Sequence, residues 1–533
     1  MSDTQSSTRR PVILVVDPLK ESYRRLLQQA RGFDGGRLAQ EFEFHHLDSY
    51  GALKDWYHRS QGRFVSLVVQ TVDFGESCEE GRLLGFPEVK YPVPKDFDPR
   101  AFQGFLVYAL MRQNRLDEIT PVLFVTDGQD MISVQRFAGF VIYPGQGSCA
   151  FASRRQGEDD GHAEVIERIE ALALRPMDEE RRREWREDHD MVIGRSRVMC
   201  YLAREIERIG PSDAVVLLLG KPGVGKELVA NALHRCSHRY RGDDEEGKLP
   251  YAVNIAALDR NLVEDELFGH ERGAFTGAVA ERKGVFETAR GSTVFLDEIG
   301  DVGTEVQLKL LRAIENRRIK RLGSSREIPV QMRIVAATNR PVGELQRNFR
   351  PDFYSRLVAH CIPVPSVKER WQDEEPNLVR RDLDEILEFV VDEMNRNPRH
   401  ERKLGVDAGA VKFLQQLVEE HIDGRNDVFQ GNMRTMRSLL EQAYERALYD
   451  GSKGIGIGHL ISTVGVIRFM QTEAAAGDDG TIEGIVGDLN MKNVERQAIM
   501  EALAKCDNNQ SKAAEILGIH RDTLRRKTAE YNL

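Results

Sequence analysis

The sequence predicts an α/β protein of about three domains that ends in a small helical segment. Its 533 residues exceed the size of one ordinary domain, because domains average roughly 100–200 residues. Short apolar runs typical of buried parallel strands alternate with helix-like segments in two separate stretches. The last ~45 residues have helical periodicity alone. Hydrophobic residues at 41% and charged residues at 30% are typical of a globular protein rather than a disordered one.

Residues 1–170 form the first stretch of strand–helix alternation. Its strand-like apolar runs are Val12–Asp17, Val65–Val69, Pro121–Val125 and Phe140–Tyr143. Its helix-like segments include Leu19–Arg31 and Phe102–Leu116. Strands that alternate with helices favour a parallel sheet, because parallel neighbours need a crossover connection. A small α/β domain is therefore expected here.

Shifts in composition mark the boundaries of the other parts. The charged segment Pro176–Asp190 is typical of a solvated helix or a linker. The small, polar, glycine-rich segment Thr472–Gly484 is typical of a flexible linker. These shifts predict a first domain at 1–170, a linker at 171–190, an α/β subdomain at 191–370, a helical subdomain at 371–470, a linker at 471–486 and a small helical domain at 487–533.

Charge and cysteine content exclude several classes of protein. The formal net charge of -10 means that any nucleic-acid-binding surface must be a local basic cluster. The six cysteines are scattered and none forms a CxxC pair, so neither a zinc site nor a disulfide framework is indicated. The polar start MSDTQSSTRR lacks the apolar segment of a signal peptide, and no run approaches the ~20 apolar residues of a membrane span. We expect a protein of the reducing cytoplasm without a membrane partner.

A glycine-rich turn joins the apolar strand Val215–Leu219 to a helix-like segment. The turn, Gly220–Lys226, fits the pattern G-x-x-x-x-G-K, in which backbone N–H groups and a helix N-terminus surround phosphate oxygens. The lysine of that pattern reaches the β- and γ-phosphates. Glu227 follows, where a magnesium-binding Ser or Thr is common. The predicted nucleotide-binding residues of this turn are Gly220, Gly223, Val224, Gly225, Lys226 and Glu227.

Two further strands end in polar residues that suit the same nucleotide. Thr293–Leu296 runs into Asp297 and Glu298. A carboxylate there can hold Mg²⁺, and its neighbour can polarise the attacking water, so we assign the metal to Asp297 and the water to Glu298. Arg333–Ala337 ends near Asn339, whose side chain can sense the γ-phosphate, although asparagine at a strand end is commonly a turn residue. ATP and Mg²⁺ are the predicted cofactors.

Between the two nucleotide motifs lies a segment of small residues that ends in GAFTGA. This hexapeptide resembles the signature loop of bacterial sigma-54-dependent transcription activators, which are AAA+ ATPases, and the resemblance extends over about Val192 to Val466. It implies that the loop contacts sigma-54 and moves with the nucleotide state. An exposed aromatic residue in a sharp turn independently indicates a binding partner. The six residues are Gly273, Ala274, Phe275, Thr276, Gly277 and Ala278.

The resemblance implies roles for four further residues. Asn254 matches the family's asparagine that pairs with the catalytic glutamate and restrains it. Arg350 and Arg356 match two arginines that reach the nucleotide of the neighbouring subunit, where a permanently charged guanidinium suits the phosphates. Arg434 matches an arginine of the second sensor, which approaches the nucleotide of its own subunit.

The C-terminal segment has the pattern helix, glycine-containing turn, helix. A helix-like stretch at Val494–Lys505 precedes it. Its second helix presents a local basic cluster of Arg521, Thr523, Arg525, Arg526 and Lys527. Such side chains can read base edges and bind DNA phosphates, although a helical docking domain with a basic face would look similar. The segment resembles the Fis-type helix-turn-helix, which implies a dimer on a two-fold related site in upstream DNA.

The N-terminal domain resembles a response-regulator receiver by the order of its strands. A receiver carries acidic residues after its first strand, an acceptor aspartate after the third, Thr or Ser after the fourth and Lys after the fifth. Here Pro18 follows Asp17, the third strand ends in Gln70-Thr71-Val72-Asp73, Thr126 fits its position, and Tyr143-Pro144 stands in the place of Lys-Pro. We expect a degenerate receiver-like domain that is regulated by a partner or ligand rather than by phosphorylation.

Together these patterns predict a receiver-like α/β domain, an AAA+ ATPase domain with a helical lid and a three-helix DNA-binding end. The resemblance implies that dimers assemble into a ring, by analogy a hexamer, which hydrolyses ATP to remodel the sigma-54 RNA polymerase holoenzyme and drive open-complex formation. Some positions depart from the family: Lys221-Pro222 replaces Glu-Ser, and Phe429-Gln430 and Thr435-Met436 replace Trp-Pro and Glu-Leu. They leave open a DNA-binding scaffold or repressor with a silent ATPase. An AAA+ remodeller of another protein is a further alternative.

Overall fold

Two five-stranded parallel sheets organise the part of the chain that the structure describes. This computed structural model describes residues 10–60, 63–74, 84, 101–114, 116, 120–126, 149–154, 162–241, 249–289, 291–372, 374, 376–398, 400, 402–464, 499, 503, 506, 509–516 and 521–531. The predicted strand at 140–143 and the predicted linker at 471–486 lie outside these residues. Among the described helices, none combines the length and the apolar character that crossing a bilayer requires.

The first sheet is covered by helices on both faces. Its strands are β1 (Val12–Val16), β2 (Glu43–Leu47), β3 (Val65–Thr71), β4 (Val122–Thr126) and β5 (Cys149–Ser153), in the order β2-β1-β3-β4-β5. Its helices are α1 (Lys20–Gly32), α2 (Arg37–Glu41), α3 (Tyr50–Arg59), α4 (Gln103–Gln113) and α5 (Ala163–Leu172), with a 3₁₀ turn at Phe33–Gly36. One apolar layer joins α3 and α4 to the sheet, and a second joins α1, α2 and α5 to its other face. Strands β1, β3 and β4 are buried throughout, as strands covered on both sides must be.

The two edge strands, β2 and β5, were not predicted. Their sequences, EFHHL and CAFAS, are half-buried and lack a continuous apolar run. Because β5 is the strand that pairs with β4, the residue that follows the fifth strand is Arg154. The sequence-based assignment of that position to Tyr143 is therefore wrong, and a basic residue does stand where a receiver has its lysine.

The charged segment before the second sheet forms helix α6 (Glu179–His189). The Asp178 side chain caps it by accepting a hydrogen bond from the backbone N–H of Arg181, 2.9 Å away. One face of this helix packs against the apolar core of the second sheet. Trp185 on that face is only 3% exposed and belongs to the core cluster. The helix is otherwise rich in exposed charged side chains, which explains why the sequence has the composition of a solvated helix.

The second sheet carries all of its strands in parallel, in the order β14-β6-β13-β10-β7. These are β6 (Val216–Leu219), β7 (Tyr251–Asn254), β10 (Thr293–Asp297), β13 (Arg333–Thr338) and β14 (Cys361–Pro363). Two hairpins, β8 (Gly269–His270) with β9 (Arg282–Lys283) and β11 (Arg318–Ile319) with β12 (Ile328–Pro329), project from it. The helices are α7 (Arg197–Ile209), α8 (Lys226–Arg235), α9 (Arg260–Phe268), α10 (Val285–Thr288), α11 (Thr304–Asn316), α12 (Val342–Asn348) and α13 (Pro351–Leu357). Parallel pairing brings the carboxyl ends of the strands to one edge, where ligands bind in sheets of this kind.

A helical subdomain follows the second sheet. It contains α14 (Val367–Trp371), α15 (Pro376–Asn395), α16 (Ala408–Ile422) and α17 (Asn432–Tyr449), with a short parallel pair β15 (Gly405–Val406) and β16 (Gly454–Ile455). A capping box of Ser366 and Glu369 starts α14 and satisfies its first backbone N–H groups. The C-terminal helices are α18 (Gln510–Ile516) and α19 (Arg521–Tyr531).

The side chain of Arg333 holds two helix ends together beneath the second sheet. It is fully buried, and its guanidinium donates to the carbonyl oxygens of Ile209 (3.1 Å), Gly210 (2.7 Å) and Leu233 (3.1 Å). These carbonyls belong to the last turns of α7 and α8, where a cation is favoured by the helix dipole. Burial lowers the pKa of Arg333 to about 10, so the group remains charged at neutral pH.

Candidate functional site

The glycine-rich turn at 220–226 folds as a phosphate-binding loop between β6 and α8. Gly223 and Gly225 adopt left-handed backbone angles, with φ of 75° and 96°, which L-residues with side chains rarely tolerate. Gly223 has no room for a side chain either, because a Cβ there would lie 2.1 Å from the carbonyl oxygen of Gly431. Val224 is buried, and the exposed Glu227 follows Lys226 in the first turn of α8. This backbone can present successive N–H groups to an anion.

Lys226 and Glu298 meet at the carboxyl ends of the parallel strands. Lys226 is 8% exposed, and its Nζ donates to the carbonyl oxygen of Gly220 at 3.0 Å and lies 3.9 Å from Glu298 Oε1. Glu298 has a left-handed φ of 54°, which is strained for a side-chain-bearing residue and typical of functional sites. Its Oε2 accepts a hydrogen bond from the backbone N–H of Asn339 at 3.2 Å. The predicted lysine, glutamate and sensor position are thus brought together.

Asp297 and Asn254 are direct neighbours across strands β10 and β7. Asp297 Oδ1 accepts from the backbone N–H of Glu298 at 3.0 Å, which leaves its other oxygen available to a cation. Asn254 is exposed, and its Oδ1 caps the 3₁₀ turn Ile255–Ala257 through the N–H of Ala257 at 3.2 Å. Within the described residues, the Asn254–Glu298 hydrogen bond that the family resemblance implies is not formed in this structure.

Asn432, which sequence reasoning did not assign to the site, clamps the helical subdomain onto the phosphate loop. It is 3% exposed and has a left-handed φ of 55°. Its Nδ2 donates to the carbonyl oxygen of Pro222 at 2.9 Å, and its Oδ1 accepts from the N–H of Val367 at 3.2 Å. The adjacent Arg434 is exposed beside the same loop, and its backbone N–H donates to the carbonyl oxygen of Gly223 at 3.1 Å.

A cavity of about 410 Å³ opens beside Gly225, between the second sheet and the helical subdomain. Its walls are mainly apolar and include Met199 and Leu202 of α7 and Phe389 of α15. Arg370 and Glu393 contribute polar groups. A flat apolar base attached to phosphates in the loop would suit this space.

Arg350 and Arg356 are presented on the outer surface by α13. The Arg350 guanidinium pairs with Asp352 at 3.0 Å, and that of Arg356 pairs with Glu315 at 2.9 Å. The Arg356 side chain is 61% exposed, and the hydrogen bond to Asp352 raises the pKa of Arg350 further above its usual range. Exposed pairs of this kind are weak, so both guanidinium groups can exchange partners.

The GAFTGA loop projects from the β8–β9 hairpin and is closed by its own backbone. The N–H of Gly273 donates to the carbonyl oxygen of Ala278 at 2.9 Å, and the two glycines of the loop have positive φ. Phe275 is 44% exposed, and Val279, which sequence reasoning did not assign, is 80% exposed. Thr276 lies between them on the surface. An exposed apolar tip on a short rigid turn is suited to binding another macromolecule.

An ionic network holds the base of this loop. His270 contacts Asp265 through Nδ1 at 2.5 Å and the carbonyl oxygen of Ala280 through Nε2 at 2.9 Å, while Arg282 contacts Asp265 at 2.9 Å. Burial alone would raise the pKa of Asp265, but the hydrogen bonds from His270 and Arg282 hold it below its usual value. The His270 ring also meets the Phe275 ring edge-on, with centroids 5.0 Å apart. The network therefore fixes the direction in which Phe275 points.

The basic cluster of the C-terminal end lies along α19. Arg521, Arg525 and Arg526 are exposed, and Thr523 and Lys527 are half-buried. Leu524 faces inward, fully buried against Ile499, Leu503, Ala513 and Ala514. This helix therefore packs by one face and offers its basic residues on the other, as a helix that enters a DNA groove must.

The receiver-like domain has an internally neutralised acidic site. Asp17 is 2% exposed, and its carboxylate accepts from Thr71 Oγ1 at 2.7 Å, Ser22 Oγ at 2.9 Å and Arg154 Nη1 at 2.8 Å. Thr71 therefore stands where a third-strand carboxylate would be needed to hold a cation beside Asp17. This arrangement supports the prediction that the domain does not use phosphorylation.

Helix α7 connects this domain to the cavity beside Gly225. Arg197, its first residue, donates through Nη1 to Thr120 Oγ1 at 2.9 Å, and its backbone N–H donates to Glu374 at 2.8 Å. Phe64 packs against the apolar cluster to which α7 belongs. Met199 and Leu202, which follow within the first two turns of the same helix, line the cavity described above.

Comparisons with known proteins show what this chain is similar to. The model of the Sigma-54 interaction domain matches residues 192–363, and that of the bacterial regulatory protein, Fis family, matches residues 490–531. The transcriptional regulatory protein ZraR of Salmonella typhimurium is 37% identical over 336 residues, which are 62% of this chain and 67% of that protein. The DNA-binding transcriptional regulator NtrC of Azospirillum brasilense is 35% identical over 357 residues, 64% of this chain and 69% of its own length. The crystal structure of NtrX from Brucella abortus in complex with ADP aligns with 98% of this chain and 100% of its own, at 19% identity and a TM-score of 0.42.

Proposed function

Because the chain belongs to the bacterial sigma-54-dependent transcriptional regulators, we propose that its phosphate loop, Glu298 and GAFTGA loop form one ATP-driven remodelling device. The chain is a DNA-binding transcriptional activator that acts with sigma-54, and its central domain is an AAA+ ATPase. The assignment of individual residues is the proposal. The observation that carries it is the approach of Lys226 Nζ to Glu298 Oε1, 3.9 Å apart at the carboxyl ends of parallel strands.

The nucleotide is ATP, held with Mg²⁺. Backbone N–H groups of the loop from Gly220 to Gly225 and the ammonium of Lys226 bind its phosphates, and the apolar cavity beside Gly225 receives the base. Asp297 is the carboxylate suited to the cation, because one of its oxygens has no hydrogen bond among the described residues. Bound Mg²⁺ would neutralise charge on the β- and γ-phosphate oxygens. Glu298, whose backbone is held in the left-handed region, orients and polarises the attacking water.

Neighbouring subunits complete the site. Among the described residues, the guanidinium groups of Arg350 and Arg356 pair with surface carboxylates of their own chain, so their release costs little. A guanidinium delivered from a neighbour can stabilise the charge that develops on the γ-phosphate. We infer assembly into a ring, in which Arg434 contacts the nucleotide of its own subunit from the helical subdomain.

The chain offers a short covalent route from the nucleotide to the loop. Asn254 ends β7 beside Asp297, and the 3₁₀ turn that it caps leads directly into α9. Helix α9 carries Asp265, which holds His270 at the base of the GAFTGA loop. A change at Glu298 that draws Asn254 away from Ala257 would shift α9 and redirect Phe275.

DNA binding positions this device near its promoter. Arg521, Thr523 and Arg525 are suited to the major groove, and Arg526 and Lys527 to phosphates. We infer that two C-terminal domains act as a dimer on a two-fold related upstream site.

Promoter opening by the full chain tests the proposal. Purified protein, ATP, sigma-54 polymerase and a supercoiled promoter are mixed, and unpaired bases are detected by permanganate. Glu298→Gln should retain ATP binding while hydrolysis and opening fall by at least about 100-fold, and Thr276→Ala should retain hydrolysis without opening. Glu305→Gln, an exposed residue in the first turn of α11, serves as the matched control.

The outcomes separate the alternatives. Wild-type protein that binds ATP but neither hydrolyses it nor opens DNA would indicate a regulator with a silent ATPase. Wild-type protein that hydrolyses ATP without opening any sigma-54 promoter would indicate a remodeller of another protein. Full opening by Glu298→Gln would refute the role of that carboxylate.

A further inference from the structure

A basic groove lies next to the GAFTGA loop and shares no lining residue with the cavity beside Gly225. It has a volume of about 540 Å³ and runs between α11 and the β11–β12 hairpin. Five of its lining residues are basic: Lys309, Arg312, Arg318, Lys320 and Arg321. In a chain with a formal net charge of -10, such a concentration of positive charge indicates an anionic partner.

Two of the five basic residues are neutralised by carboxylates. Lys309 Nζ lies 2.7 Å from Glu264. Arg321, with a side chain only 9% exposed, lies 2.8 Å from Glu287 and 3.2 Å from both Glu271 and Glu281. These pairs anchor the walls of the groove and are not available to a ligand.

The other three basic residues have one carboxylate partner among them. Arg318 and Lys320 share a single carboxylate, that of Glu327, at 3.2 and 3.6 Å. Arg312 is exposed, and among the described residues no carboxylate lies within ion-pair distance of it. Three cations therefore face one anion. Successive side chains of an extended strand point to opposite faces. Arg318 and Lys320 therefore both point to solvent on one side, while Ile319 between them is buried.

The lining suits a phosphate backbone better than an acidic peptide. Asn316 and Ser324 add uncharged hydrogen-bonding groups at the surface. Of the large apolar residues in the lining, Phe268 and Ile319 are 1% and 4% exposed and Leu322 is half-buried, so little apolar surface is offered to an incoming side chain. Protein interfaces usually have apolar anchors at their centre, whereas nucleic-acid interfaces are polar and strongly positive.

The groove and the GAFTGA loop are one continuous surface. The N–H of Leu322 donates to the carbonyl oxygen of Gly269 at 2.8 Å, and the N–H of Glu271 donates to the carbonyl oxygen of Leu322 at 3.0 Å. Gly323 packs so closely that a Cβ there would lie 2.8 Å from the Cβ of Ala274. A ligand in the groove therefore lies beside the residues that engage sigma-54, and a movement of the loop would move its binding site.

We propose that this groove binds the sugar-phosphate backbone of promoter DNA while the adjacent loop engages sigma-54. The proposal rests on the function proposed above for the GAFTGA loop. Arg312, Arg318 and Lys320 contact phosphates without reading sequence. The activator thus holds both the sigma factor and the DNA that is to be opened.

Site-specific crosslinking tests which macromolecule occupies the groove. A photoreactive phenylalanine derivative replaces Ser324 or, separately, Asn316 in the full chain, and Tyr449, 92% exposed on the helical subdomain, is the control position. Each protein is irradiated with ATP, sigma-54 polymerase and a labelled promoter fragment that lacks upstream activator sites. DNA should be labelled from positions 324 and 316 and not from 449. Labelling of sigma-54 or another polymerase subunit without DNA, equal labelling from 449, or no labelling at all would each overturn the proposal.

A charge-neutral variant gives a second, quantitative test. The double variant Arg318→Gln with Lys320→Gln removes two phosphate contacts. A plot of log promoter affinity against log salt concentration should therefore be less steep by about 1.8, because each phosphate contact contributes about 0.9 to its slope. Arg380→Gln with Lys412→Gln makes the same charge change on the exposed helical subdomain and should leave the slope unchanged. ATP hydrolysis without promoter should be equal in all proteins. If the wild type opens DNA but the groove variant has the same salt slope, the DNA-binding role of the groove is refuted and the proposed function stands. If the wild type does not open DNA, the proposed function is refuted.

Discussion

Replacement of Asn432 tests whether the helical subdomain is held to the phosphate loop by one side chain. Asn432→Gly preserves the left-handed backbone, because glycine adopts a φ of 55° without strain. It removes the hydrogen bonds to Pro222 and Val367, and each buried group left without a partner costs about 1–3 kcal/mol. We therefore expect a loss of about 2–6 kcal/mol from the contact between the subdomain and the loop.

The affinity for nucleotide should fall with this contact, because the proposed site places the phosphates at the loop and the base in the cavity next to the helical subdomain. If about 1.4 kcal/mol of this loss weakens the binding free energy of ATP, the Kd for ATP rises about tenfold. The Kd is measured by titrating the full chain with a fluorescent ATP analogue. Asn432→Asp should weaken binding as well, because it keeps the acceptor for Val367 but turns a carboxylate oxygen toward the carbonyl of Pro222.

Asn395→Gly is the matched control. Asn395 makes two hydrogen bonds to the backbone of Leu404, each 2.9 Å long, inside the helical subdomain and away from the loop. Its loss should lower the thermal unfolding midpoint without changing the Kd. If Asn432→Gly lowers the unfolding midpoint but binds the analogue as tightly as the wild type, the clamp has no role in nucleotide binding.

Three further predictions concern stability, pH and the receiver-like domain. Arg333→Met should lower the free energy of unfolding by roughly 3–5 kcal/mol in urea titrations, because three helix-end carbonyls lose their donor; a change below about 1 kcal/mol would contradict the structure. Burial lowers the pKa of His459, whose Nδ1 accepts from the N–H of Gly456. The stability it contributes is therefore complete above its ordinary pKa of 6.5 and is lost as pH falls through the folded-state pKa. Calorimetry between about pH 7.5 and pH 5 should show a smaller decrease in midpoint for His459→Asn than for the wild type, and equal decreases would count against this assignment. A small phosphodonor should not label the chain, because Arg154 and Thr71 already occupy the Asp17 carboxylate; stable labelling that is lost in Asp73→Asn would disprove this.

The sequence predicted the fold class and the central strands correctly. Strands β1, β3, β4, β6, β10 and β13 are largely continuous apolar runs, because they are covered on both faces. Edge strands β2 and β5 carry mixed residues and were missed, which displaced the expected lysine position from Arg154 to Tyr143. Helix α6 was predicted only as a solvated helix or linker, although Trp185 is buried. The domain boundaries and the individual site residues remain predictions.

Parts of the site could not be read from local patterns. The phosphate loop and Asp297-Glu298 carry their chemistry in adjacent residues, so the sequence alone could predict them. Asn432 acts on partners 210 and 65 residues away, and only the tertiary structure brings them together. Val279 lies directly after the signature hexapeptide, and its exposure depends on how the loop turns.

The contact between Arg197 and Thr120 has a thermodynamic consequence. Helix α7 contacts the receiver-like domain through Arg197 and also lines the cavity beside Gly225, so we expect the two places to be linked. Linkage is reciprocal: a signal that shifts the docking of the receiver-like domain by a given free energy changes nucleotide affinity by that amount, and ATP must change affinity for the signal equally. We therefore expect ATP and any ligand of the receiver-like domain to change each other's affinity by the same factor.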